Sequence, residues 1–228
     1  MIKLDNVTKE FNLAQQVITP VREVSLEIGE GEFVIIIGRS GTGKSTMLNL
    51  VAGLIRPTSG IILVEDRDLA TLSDKEMSLL RSREMGYVFQ FPSLLPSLTI
   101  LDNIVLPSTF SAEKNPKEPA KRASELLRML GLGERLGCYP RHLSAGEQKR
   151  AVIARSLMNE PRILLADEPT SDLDEQTENE IMLLLKQIHD SGVTILMVTH
   201  SLGLVPYATR AYSMDKGKLT LEPQKIDT

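Results

Sequence analysis

The sequence predicts an α/β protein with a mainly parallel sheet at its core, an N-terminal antiparallel β part and a small α-helical lobe, and three observations carry that prediction. Short apolar runs, several of them β-branched, recur along the chain and each ends in a polar residue, as strands buried on both faces do. Helical apolar periodicity fills the intervals between them. Near the N-terminus the pattern becomes strict alternation, the mark of strands with one wet face.

Residues 2–7 and 23–28 alternate, with Ile2 and Leu4, then Val24, Leu26 and Ile28, on one face, and read as half-buried antiparallel strands. Gly29 and Gly31 punctuate the turn that follows. Residues 33–37, Phe-Val-Ile-Ile-Ile, form the first continuous run, and residues 86–89, 163–166 and 194–198 behave alike. In an open α/β sheet a ligand lies outside the carboxyl ends of the strands, so Gln90, Asp167, Glu168 and His200 are expected around one crevice. Residues 120–130 place Ala123, Leu126, Leu127 and Leu130 on one helical face and stop at Gly131. Residues 175–189 do the same with Ile181, Leu184, Leu185 and Ile188. The stretch 91–119 is rich in Pro and Ser, and Pro92, Pro96, Pro107, Pro116 and Pro119 are expected to break regular structure there, at a lobe boundary or docking surface. Within it Phe91, Leu94, Leu95 and Leu98 follow no helical or strand period; they either pack the lobe or form an exposed apolar patch for a partner.

The 228 residues suit one domain with a helical lobe inside it, at about 91–158. A net charge of −4 argues against the large basic surface that nucleic acid requires. The longest apolar runs, 33–37 and 181–185, are far short of the roughly 20 residues that span a bilayer. The N-terminus has no apolar segment behind its charge, so the chain is expected in the cytoplasm. Cys138, the sole cysteine, excludes an internal disulfide and reads as an unreactive loop thiol.

Gly38-Arg39-Ser40-Gly41-Thr42-Gly43-Lys44-Ser45 matches the phosphate-binding loop pattern between a buried strand and a helix. Its glycines let the backbone curl so that amides point inward, Lys44 can reach the β- and γ-phosphates, and the Ser45 hydroxyl can ligate magnesium. This makes the expected core a P-loop nucleoside-triphosphatase (NTPase) core. Asp167 and Glu168 end an apolar strand: Asp167 is placed to hold magnesium and Glu168 to polarise the attacking water, whereas without the loop Glu168 would read as a solvated turn residue before Pro169. Leu143-Ser144-Ala145-Gly146-Glu147 has a local explanation, a capping box of Ser144 with Glu147 ahead of a helix with apolar Ala151, Ala154, Leu157 and Met158.

Taken together and in this order, the segments resemble the ATP-binding cassette (ABC) ATPases from the first strand to about Lys218. The resemblance implies that Phe11 stacks on adenine, that Gln90 touches magnesium or water, and that residues 143–147 are the signature segment. It further implies that Asp174 lies in the D-loop and that His200 is a switch histidine bonding a γ-phosphate oxygen. The nucleotide-binding residues so implied are Phe11, Gly38, Ser40, Gly41, Thr42, Gly43, Lys44, Ser45, Thr46, Ser144, Gly146 and Asp174; the catalytic residues are Glu168, His200, Gln90 and Lys44; the magnesium ligands are Ser45, Gln90 and Asp167. ATP and magnesium are the implied cofactors. A head-to-tail pair of copies, with the signature of one facing the ATP of the other, and integral membrane permease subunits are the implied partners, with the chain peripheral at the cytoplasmic face of the membrane.

Several residues depart from the family pattern. Ala145 replaces a glycine, Glu147 adds an anion near a partner's phosphates, Asp172 stands in place of a small residue, Ser201 follows His200 in place of an acid, and Arg39 replaces a frequent proline. Phe11, Val17-Ile18, residues 31–34, 88–90 and 94–104 are similar to the macrolide-export and lipoprotein-release branch, which implies export or release of envelope substrates. A GTPase lacks its guanine motif here, and a non-catalytic ATP-binding regulator stays open through Glu147 and Asp172. A soluble ABC ATPase switching translation or DNA repair would carry tandem cassettes or a coiled-coil insertion, neither of which occurs.

Overall fold

A computed structural model describes residues 1–13, 16–110 and 118–223. Pro116, together with the rest of 111–117 in the 91–158 lobe, lies outside the described residues. The chain forms two compact units, Met1–Ser78 with Thr194–Thr228, and Leu79–Val193.

In the first unit β1 (Ile2–Leu13) pairs antiparallel with β2 (Gln16–Ile28) through Ile2↔Ile28, Leu4↔Leu26 and Val7↔Val24. On its other edge β1 meets β4 (Ser59–Val64), again antiparallel, and β5 (Arg67–Asp68) pairs with β4. The antiparallel part is therefore where alternation places it, with Ile2, Leu4, Val24, Leu26 and Ile28 buried. Both strands run further than the alternation does. Register shifts between Leu4 and Val7, Val7 and Lys9, and Lys9 and Phe11 throw the side chains out of phase, so strand continues where its period fails.

β3 (Phe33–Ile37) is buried at all five residues and is flanked in parallel by β8 (Thr194–Thr199) and β9 (Arg210–Asp215). β10 (Lys218–Leu221) closes against β9 antiparallel. Each fully buried Val, Leu or Ile side chain contributes roughly 1.5–3 kcal/mol, so this ladder is a rigid platform. The loop 38–43 leaves it and opens directly into α1 (Lys44–Val51).

α2 (Asp74–Glu84) leads into the second unit, where β6 (Met85–Val88) runs parallel to β7 (Ile163–Asp167) in the register Met85↔Ile163 to Val88↔Ala166. Among the described residues this unit also holds the α-helices α3 (Ile100–Thr109), α4 (Pro119–Met129), α5 (Ala145–Ser156) and α6 (Glu175–Asp190). The faces expected for α4 and α6 are the buried ones.

The proline-rich stretch needs correction. Residues 100–109 are helical, because Thr99 caps α3 by accepting from the Asp102 amide at 3.1 Å. Buried Asn103 secures the preceding turn, its Oδ1 accepting from the Leu95 amide and its Nδ2 donating to the carbonyls of Leu95, Leu98 and Thr99. Pro119 sits in the first turn of α4, where a missing amide costs little, whereas Pro107 sits in the last turn of α3 and forgoes one bond to the carbonyl four residues back. Leu94 is buried, so it belongs to the unit's own packing, and Leu98 is half-buried; Phe91 and Leu95 remain exposed.

Candidate nucleotide site

The phosphate loop is shaped by what surrounds it. Gly41 and Gly43 have φ of 80° and 110°, and a Cβ on Gly43 would lie 1.8 Å from the Pro20 carbonyl oxygen. A Cβ on Gly38 would come within 2.5 Å of the Met214 carbonyl oxygen. Both positions therefore require glycine, one for conformation and space, the other for space alone. Thr42 Oγ1 donates to the Arg39 carbonyl at 2.9 Å, closing the turn. Lys44, only 4% exposed, folds back so that its ammonium donates to the carbonyls of Gly38 at 2.8 Å and Arg39 at 3.1 Å. Gly43 caps α1 without a side-chain acceptor, and no acidic residue occupies the first turn. The N-terminal amides of α1 are thus not taken up by a capping side chain or an acid of the helix's own first turn, which suits an anionic ligand. Ser45 is exposed and Thr46 half-buried beside them; Ser40 is exposed on the loop.

Phe11 lies on β1, 38% exposed, with Lys9 Nζ 5.0 Å from its ring centroid, so a flat face is available for stacking in this unit. His200 is exposed immediately after β8, the strand beside β3.

The second unit brings Gln90, Asp167 and Glu168 together at the carboxyl ends of two paired strands. Asp167 is 8% exposed and Glu168 9% exposed. Glu168 is not a solvated turn residue: its φ of 45° is unusual for a side chain of that size, and its carbonyl accepts from the Ser171 amide at 3.1 Å. A backbone held in that region costs on the order of 1–3 kcal/mol and aims the carboxylate by tertiary constraint rather than local preference. Asp172 also has positive φ, 64°, a conformation that aspartate tolerates. Burial and the charge of Asp167 push the Tyr87 hydroxyl well above its ordinary value.

At the start of α5 the capping box forms as its residues suggest. Glu147's amide donates to Ser144 Oγ at 3.2 Å, and the Ser144 amide donates to Glu147 Oε2 at 2.8 Å. Arg135 Nε adds a bond to Glu147 Oε1 at 2.9 Å. These bonds, that from the Ser144 backbone foremost, hold the Glu147 carboxyl below its ordinary range. The anion is engaged within its own unit. Gly146 is buried, and a Cβ there would meet Thr177 Cγ2 at 2.6 Å. Asp174 caps α6 by accepting from the Thr177 amide at 2.9 Å.

Lys149 escaped the sequence reading. It is 4% exposed, its ammonium donates to the Gln90 carbonyl at 2.5 Å, and it lies 3.4 Å from Ser171 Oγ. Burial lowers its pKa, while Asp172, Glu168 and Asp167 act to raise it. The signal for it was a lysine in helical phase with Gly146, Val152 and Ile153, a position facing inward.

The donor set suits magnesium-nucleotide. No group of three or more His, Cys, Asp or Glu able to cage a metal occurs among the described residues, whereas magnesium is commonly held by one or two carboxylates plus substrate phosphates. No helix among them is long and apolar enough to cross a membrane.

The comparisons agree with this layout. The ABC transporter family model matches residues 21–171. A lipoprotein-releasing system ATP-binding protein of Aquifex aeolicus is 42% identical over 206 residues, covering 90% of this chain and 92% of its own. A macrolide export ATP-binding/permease protein of Bordetella avium is 40% identical over 228 residues, all of this chain but 34% of its own length. A cassette of Methanocaldococcus jannaschii, solved as a dimer in a post-hydrolysis state with ADP and Pi, superposes with a TM-score of 0.89 at 39% identity over 99% of both chains. The chain belongs to the ABC transporter family, as an ATP-binding subunit with the ABC ATPase fold, related to the cassettes of macrolide export and lipoprotein release.

Proposed function

We propose that the whole chain, 1–228, acts as one ATPase domain with a helical lobe at about 91–158, and that it binds magnesium-ATP as a head-to-tail pair of copies. Hydrolysis then drives integral membrane permease subunits at the cytoplasmic face, in export or envelope-substrate release. The observation that carries this reading is the loop 38–45, which has no room for a Cβ at Gly38 or Gly43 and whose following helix has no acid in its first turn.

In this reading the first unit binds. The α1 amides and Lys44 hold the phosphates, Lys44 exchanging its two loop carbonyls for phosphate oxygens, and Phe11 stacks on the adenine. Bound magnesium, with Ser45, Asp167 and Gln90 as candidate ligands, supplies charge neutralisation on the phosphate oxygens. The second unit supplies the base: Glu168, fixed by its turn, orients and deprotonates the attacking water. His200 donates to a γ-phosphate oxygen. Ser144 and Gly146 face the nucleotide of the other copy, with Asp174 alongside. Support comes from the dimeric relative with ADP and Pi and from the permease fused to the macrolide exporter.

The direct test is equilibrium binding of magnesium-ATP and steady-state turnover by wild type and Lys44→Ala. Turnover should vanish and affinity should drop in the variant; equal affinities would remove Lys44 from the phosphate site.

A further inference from the structure

The strand ladder between β6 and β7 ends at Val88↔Ala166, two residues before Gln90. Gln90 is therefore beyond the sheet's own hydrogen bonds, yet the proposed chemistry needs its amide in a fixed place. What reaches its backbone is Lys149, from the buried face of α5. The ammonium donates to the Gln90 carbonyl at 2.5 Å, and the Ser171 hydroxyl, on the turn that begins at Glu168, lies 3.4 Å away. Six residues on, Arg155 of the same helix donates to the Ser93 carbonyl at 2.6 Å and to Ser93 Oγ. The segment leaving β6 is thus tied to α5 at two points, both through cations.

We infer that Lys149 is a positioning residue for hydrolysis, holding the exit of β6 at Gln90 to the first turns of the signature helix so that the Gln90 side chain leaves the backbone in one direction. The inference rests on the proposed reading that Gln90 acts at the nucleotide. A lysine is a costly way merely to fill space, because a desolvated ammonium loses its water, and an apolar side chain of similar volume packs without that loss. It is retained where a charge-assisted bond fixes an acceptor, since such bonds are shorter and stronger than neutral ones. The carboxylates of Asp167, Glu168 and Asp172 supply the field that keeps the cation in place. Lys149 also sits five residues after Ser144, so movement of the signature helix carries the Gln90 backbone with it.

The test compares wild type, Lys149→Met, Lys149→Gln, Gln90→Ala and the double variant Gln90→Ala/Lys149→Met in ATP turnover and in equilibrium ATP binding. Lys149→Met should lower kcat about 10- to 100-fold, the usual effect of removing a group that orients another, with ATP affinity unchanged. Lys149→Gln keeps a donor but loses charge and length, and its kcat should fall between the two. In the Gln90→Ala background, Lys149→Met should cost nothing more, because there is no side chain left to orient. Should Lys149→Met fail to fold, Lys149→Gln takes its place in the cycle. Unchanged kcat in the Lys149 variants, or losses that multiply in the double variant, overturns the inference while leaving the role of Gln90 intact. Wild-type turnover by Gln90→Ala instead removes Gln90 from the chemistry, and with it the basis of this inference.

Discussion

At the scale of the residue, the site depends on side chains whose conformations their own neighbours in sequence do not explain. Glu168 combines near-complete burial with a positive φ, and nothing about Asp-Glu-Pro in one dimension distinguishes that from an exposed turn. The cost of the backbone is met by the ladder of β7 and by the bond from the Ser171 amide. If this carboxylate is the base, Glu168→Gln should bind ATP and hydrolyse it about 10²–10⁴-fold more slowly, measured as phosphate release at saturating ATP. Near-normal release would shift the role to His200. The loop lysine was legible at once, because spacing alone identifies it. Lys149 was not, because a single cation inside an amphipathic helix has no motif to mark it.

At the scale of the element, α5 shows how one segment serves two purposes. Its start is a helix terminus with orphan amides that Ser144 and Glu147 satisfy reciprocally. The same geometry fixes Ser144 in extended conformation, exposed, ahead of buried Gly146. Glu147, an added anion relative to the family pattern, takes the cap position that its spacing from Ser144 predicts, and a bond from Arg135 holds it there as well. Because those bonds hold its carboxyl below the ordinary value of 4.5, the folded state binds this proton more weakly than the unfolded state does. The stabilisation is complete above that value and disappears as pH falls through the depressed pKa. Thermal melts below the ordinary value should therefore show a steeper loss of Tm in wild type than in Glu147→Gln, and parallel curves would remove the cap from the acid response. α3 makes the converse point: a proline-rich composition argues against helix, but a Thr99 cap and buried Asn103 organise one, with Pro107 in its last turn.

At the scale of the whole molecule, a chain with one phosphate loop and one signature segment needs a second copy to complete a site of the proposed kind, and closed two-fold symmetry makes both interfaces alike. Mixing Lys44→Ala with Ser144→Arg subunits should give a mixed dimer with one doubly damaged and one intact interface. Cysteine cross-linking between the two segments, carried out on the mixture, should trap that intact pairing, and its absence refutes the head-to-tail arrangement. The permease proposed as a partner calls for a separate patch. Phe91 and Leu95 are exposed, 71% and 43%, in the segment following Gln90, whereas Leu94 is consumed by packing. Leu95→Asp should leave turnover of the isolated subunit unchanged and abolish co-purification with the permease; retained binding places the docking surface elsewhere.

The sequence by itself determined the class of the fold and the family. Buried strands declare themselves by unbroken β-branched composition, helices by apolar phase, and the phosphate loop by glycines at fixed offsets, all of which are local properties. It also determined the capping box, whose partners are three residues apart. Tertiary structure decided the rest: where β1 and β2 end once bulges shift their register, that Glu168 is buried, that Leu94 packs inward while Leu95 does not, and that Lys149 reaches Gln90 across 59 residues of chain. Each of these depends on which distant backbone arrives beside a residue, and the free energy that settles it, burial against desolvation and conformational strain, belongs to the contact and not to either partner alone.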